Sequence, residues 1–185
     1  MRGKLEQKPL DRKSQLGMTM IETVIALAIL LIVAVGVMTV AVVSTMTTEN
    51  QGNLGARTAE YAQDKMEQLI ALKYNDTVSD TTQFPAATSG GTGLAIGGNS
   101  DPSAPVTAPG TGYVDYLDNT GTPLALGAGG AAPAGWYYIR VWQISQSSAN
   151  LKQIIVSCKV AFNVGTRGAG ALSQSTVTSL KTSPF

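Results

Sequence analysis

The sequence predicts an α+β protein, a long N-terminal α-helix packed on a small antiparallel β-sheet. The first half of that helix reads as transmembrane and the second half as amphipathic. Three observations carry this. No charged residue falls between Glu22 and Glu49, and Val24–Val43 is almost wholly apolar. Beyond it, Gly55, Ala59, Ala62, Met66, Leu69 and Lys73 recur at steps of three and four, the spacing of one helical face. Near the C-terminus, Ile154, Val156, Cys158, Val160, Phe162 and Val164 alternate with Ile155, Ser157, Lys159, Ala161 and Asn163, the period of a strand packed on one side.

Residues 1–17 hold Arg2, Lys4, Lys8, Arg12 and Lys13 against Glu6 and Asp11, although the whole chain of 185 residues is close to neutral at +1. A basic head before an apolar run sets topology, with the cations kept on the cytoplasmic side. The near-neutral balance gives no indication of a nucleic-acid partner. About 20 apolar residues at ~1.5 Å rise span the ~30 Å hydrocarbon core, which places a transmembrane segment at about residues 22–43. An ordinary secretory signal fits less well, because the run exceeds the usual ~7–15-residue apolar region and no A-x-A site follows. By composition alone, the run is a single-pass anchor.

The residues at its start say more. Gln15-Leu16-Gly17-Met18-Thr19-Met20-Ile21-Glu22 places a glycine after the basic head and a carboxylate at the edge of the apolar run. An acidic group there is costly in lipid unless paired. This segment resembles the N-terminus of type IV prepilins and type II secretion pseudopilins, in which a basic leader ends in Gly, four residues follow, then a Glu and a hydrophobic helix. The resemblance implies a leader peptide over 1–17, cleavage by a prepilin peptidase between Gly17 and Met18, N-methylation of Met18, and an assembly or register role for Glu22 opposite the new amine of a neighbouring subunit or of its own chain. Glycine gives the peptidase an unhindered backbone. The chain is a substrate in this reading, with no catalytic residue, cofactor or metal of its own.

The helix is expected over 18–75, ending near Asn75-Asp76, and no proline occurs between Pro9 and Pro85. Gly36, with Thr39 near it, and then Gly52 and Gly55 are its weak points, a helical glycine costing about 1 kcal/mol relative to alanine. Arg57, Glu60, Asp64, Lys65 and Glu67 are read as its solvated side. Ala59–Leu69 also resembles the corresponding helix of PilV-type minor pilins and of I-type pseudopilins.

Over 76–135, Gly, Ala, Ser, Thr and Pro dominate and few bulky apolar groups offset ordering entropy, so loops are expected. A short strand over Tyr113–Leu117 and a turn at Asp118–Gly121 interrupt them. Gly127–Ala132 fits G-x-G-x-x-A formally, but without the preceding strand that dinucleotide binding needs. Asp115 and Asp118 read as acids of a solvated turn rather than a calcium site.

Over 136–185 an antiparallel sheet is expected: Trp136–Ile144, a polar turn at Ser145–Asn150, Leu151–Val164, a turn at Gly165–Gly170, and a weaker edge strand over Ala171–Leu180. Cys158 is read as a small core residue, and Trp136, Tyr137, Tyr138 and Trp142 as sheet packing.

The absence of histidine removes His-based triads and His metal ligands, and no P-loop, G-x-S-x-G or paired carboxylates stand out. A membrane-anchored enzyme or binding module is therefore the lesser reading. Met18 at the first mature position, Thr39 where many pilins carry a proline, and a single cysteine that cannot close the disulfide loop of many major pilins turn the resemblance toward a minor pilin of a type IV pilus. The alternative is a minor pseudopilin of a type II secretion system. Either implies other pilin or pseudopilin subunits as partners. Both also imply single-pass residence in a bacterial inner membrane, N-terminus cytoplasmic and head periplasmic, before entry into a pilus or pseudopilus.

Overall fold

The computed structural model describes residues 19–99, 101, 102, 110–161 and 173–183. Helix α1 spans Met20–Ala71. Among the described residues six strands follow: β1 Gly97–Gly98, β2 Val114–Leu117, β3 Pro123–Leu124, β4 Tyr138–Ser148, β5 Leu151–Val160 and β6 Gln174–Thr182. They form one antiparallel sheet in the order β3-β2-β4-β5-β6, with β1 paired to β4. The chain divides into two compact units, residues 1–45 and residues 46–185.

In the first unit α1 is helical through Gly36 and Thr39. The Thr39 hydroxyl donates to the Val35 carbonyl at 2.8 Å and that of Thr45 to Ala41 at 3.0 Å. Both hydroxyls are satisfied within the helix, so the segment keeps no unmet polar side chain at these positions.

In the second unit, α1 lays Tyr61, Ala62, Met66 and Leu69 on the sheet face formed by Leu117, Tyr138, Trp142, Ile144, Ile154, Val156, Cys158 and Val160. Fully burying such a side chain stabilises the fold by roughly 1.5–3 kcal/mol. The alternation expected in β5 holds on this face from Lys152 to Val160, while Phe162 and Val164 lie outside the described residues. Its other face is less polar in setting than the pattern implies, since Ser157 and Lys159 are buried as well. Behind β2 and β4, Val114, Tyr116 and Val141 form a second small cluster with Leu124, Leu126, Trp136 and Ile139 around it.

Several boundaries differ from expectation. The helix stops at Ala71, short of Asn75-Asp76. Its last turn carries no basic residue. The sheet supplies a cation to its end instead, Lys181 donating to the Ile70 carbonyl, while Lys152 donates at 2.8 Å to the carbonyls of Tyr74 and of Leu94 in the loop beyond. Positive charge at a helix C-terminus complements the dipole. Asp76 then organises the turn, accepting from the Val78 and Ser79 amides at 3.1 and 3.0 Å. Strand β4 runs on to Ser148, leaving Ala149-Asn150 as the turn.

The Gly-rich stretch is ordered chiefly by hydrogen bonds. Asp80 pairs with Ala87 in both directions, Gly91 and Gly93 donate to the carbonyls of Val78 and Ser79, and Leu94, fully buried, donates to Asp76. The turn after β2 needs glycine at Gly121, where φ is +90° and a Cβ would sit 2.5 Å from the Tyr61 hydroxyl oxygen. Asp118 matches its reading as a turn acid, accepting from the Thr120 hydroxyl at 2.6 Å and the Thr122 amide at 2.9 Å.

Candidate functional site

Helix α1 begins at Met20, with Glu22 in its first turn and the apolar run just beyond it. The Thr19 carbonyl accepts from the Glu22 amide at 2.9 Å and the Thr23 amide at 3.2 Å, and the Thr23 hydroxyl donates to the Met20 carbonyl. Glu22 lies exposed in the first helical turn, where a carboxylate interacts favourably with the exposed amide dipoles. From Val24 to Val43 every Val, Ile, Leu and Met side chain is exposed. By length and composition this segment can cross a membrane. Gly17 and Met18 lie outside the described residues, so the pairing of Glu22 with a Met18 amine is not placed by the structure.

Residues 12–38 match the family described as the prokaryotic N-terminal methylation motif. The motif is structural rather than enzymatic, and it spans Gly17, Met18, Glu22 and most of the exposed apolar segment. It supports a pilin- or pseudopilin-like chain processed by a prepilin peptidase and assembled with other such subunits. Together with the apolar helix it fits anchorage in an inner membrane. No curated protein and no solved structure matches the chain.

A second cluster, in the other unit, departs from the sequence pattern. Lys65, expected on the solvated side of the helix, and Asp115, expected in a solvated turn, are both buried, Lys65 completely. Lys65 Nζ lies 2.8 Å from Asp115 Oδ2. Arg140 grips the same carboxylate side-on, Nε to Oδ1 and Nη2 to Oδ2, both at 2.7 Å. Lys65 also donates to the Thr81 carbonyl and stands 4.2 Å from the centre of the Trp142 ring. The β2–β4 register sets Asp115 opposite Arg140, and the helix lowers Lys65 onto them.

Burial would raise the Asp115 pKa, but Lys65 and Arg140 outweigh it and hold the carboxyl below its ordinary range. Burial pushes Lys65 down, with Asp115 opposing. Arg140 is held above its usual value because Asp115 overcomes its own desolvation. With both carboxylate oxygens accepting from cationic side chains, the cluster is a fastening of helix to sheet. The sequence signal for it was a charge amid bulky apolar neighbours, Val114-Asp115-Tyr116 and Ile139-Arg140-Val141.

Cys158 sits where it was expected, fully buried, and desolvation pushes its thiol up to about 12. Such a thiol stays protonated and inert. Beside the cluster, a cleft of about 500 Å³ opens between Asp64 and Glu67 on the helix and the Thr120–Pro123 turn, with Phe84 on its rim and Arg140 on its floor.

Proposed function

We propose that this chain is a minor pilin, a low-copy structural subunit of a type IV pilus. It is cut after Gly17, N-methylated at Met18 and assembled through the helix that follows, with the N-terminus on the cytoplasmic side until assembly. The observation that carries the reading is the methylation motif over 12–38 running into an exposed, uncharged helical segment. An apolar surface of that extent calls for lipid, neighbouring helices, or one after the other. Glu22 sets the axial register by pairing with the Met18 amine of a neighbour. A buried pair of that kind contributes little net stability but fixes position.

The test is Glu22→Val in the full-length chain. Cleavage should proceed while incorporation into sheared filaments falls sharply. Normal incorporation would remove the register role. The pseudopilin alternative shares processing and fold, and gene deletion separates the two: loss of pili with secretion intact supports the pilus, and the reverse supports the secretion system.

A further inference from the structure

Helix α1 passes through three settings. Over residues 24–43 it is apolar, and from Leu54 onward it lies against the sheet, with Thr58, Tyr61 and Ala62 buried there. Residues 46–53, between these two, belong to neither setting. All but Thr47 are exposed, and among the described residues none of them joins either apolar cluster. Glu49, Asn50, Gln51 and Asn53 are too polar for hydrocarbon. The stretch is also a poor helix former by composition. Thr47, Thr48, Asn50 and Asn53 rank low in helix propensity, and Gly52 ranks below them. Glu49 has no lysine or arginine three or four places away to pair with. Packing does not require Gly52, since a Cβ there would meet nothing within 4 Å. Its effect is to loosen the helix. Exposed backbone bonds without buried apolar contacts mark the low-stability end of a fold.

We infer that residues 46–53 form a yielding strap, a stretch of α1 that opens locally while the helix on both sides stays closed. These eight residues span about 12 Å as helix and about 26 Å when extended. Opening therefore supplies slack. A pull or twist on the apolar segment is taken up there before it reaches the Thr58–Ser175 bond and the fastening of Lys65, Asp115 and Arg140. Gly36 has equally open space around it, yet it is not the yielding point. Opening the backbone among apolar residues in lipid leaves amides and carbonyls without partners, whereas water satisfies them at 46–53. That contrast with Gly36 rests on the membrane setting proposed above; the weakness of 46–53 does not.

The experiment is digestion of the full-length chain in detergent with a glutamate-specific protease, each cut normalised to its rate in the unfolded chain. Glu49, Glu60 and Glu67 are all helical and all exposed, but only the last two stand on helix backed by the sheet. A helical bond must open before it is cut, so cleavage reads local opening. The cut after Glu49 should run about tenfold or more faster than the cuts after Glu60 and Glu67. Amide exchange on the same sample should be faster over 46–53 than over 58–69 by a similar factor. Combining Thr48→Ala, Asn50→Ala and Gly52→Ala raises helix propensity and adds a Cβ where there is room. That variant should slow the cut after Glu49 about tenfold, with the other two cuts and the tryptophan fluorescence unchanged. Equal protection of 46–53 and 58–69, or a cut after Glu49 that the triple variant leaves as fast, would overturn the inference. The mature N-terminus, read by mass on the same sample, reports on the pilin reading independently.

Discussion

Between Met20 and Val43 large apolar side chains stand open, Leu30 at 65% and Met38 at 71% exposed, while farther along the same helix Lys65 is wholly enclosed. The usual sorting of side chains is reversed in both places, for different reasons. The apolar segment satisfies its polar groups internally, through the helix ladder and the bonds of Thr39 and Thr45, which is what a lipid environment or a helix bundle requires. The later segment buries a charge because β2 and β4 meet it with Asp115 and Arg140. Exposure in one half and burial of charge in the other thus report on different surroundings rather than on helix propensity.

Substitutions can break this contrast, and the largest effect belongs to the buried cluster. Asp115→Ala leaves two buried cations facing each other and should cost about 3–5 kcal/mol or more. Both tryptophans, Trp136 and Trp142, lie in the second unit, so their fluorescence on heating reads that unit. Leu30→Lys should act the opposite way: an insertion penalty of about 2.5–3.5 kcal/mol, seen as protein released from membranes by alkaline extraction, with the fluorescence transition unmoved. Thr58→Val removes a 2.9 Å hydroxyl bond to Ser175 between helix and edge strand and should cost about 1 kcal/mol.

Acid sharpens the contrast further. The folded-state pKa of Asp115 lies below its ordinary value, so the folded chain binds that proton less readily than the unfolded one. The associated stability is complete above about pH 4 and is lost as pH falls from there through the folded-state value. Asp115→Asn should flatten that part of the stability curve, leaving a shallower slope from Asp76 and Asp80, whose pKa values are also lowered.

Sequence reasoning reached the elements whose patterns are local. The period of two in β5, the aromatic and β-branched run of β4 and the unbroken apolar segment each follow from near neighbours. The edge strand β6 was visible only weakly, because Ser and Thr fill its exposed positions. Lys65 was illegible because its helical neighbours Asp64 and Glu67 are acidic and its true partner, Asp115, is 50 residues away. The early helix stop was hidden for the same reason: the cation at its end, Lys181, belongs to a strand. At the candidate site Glu22 lies in the first turn of the helix, whereas Gly17 and Met18 are legible in sequence alone.

Entry into a filament begins, in the proposed function, with the cut between those two residues. Intact-mass and N-terminal sequence analysis of the protein from its own membranes measures it directly. The mature chain should begin at Met18 with one added methyl group on its amine. A chain beginning at Met1, or cut after the apolar segment, would contradict it.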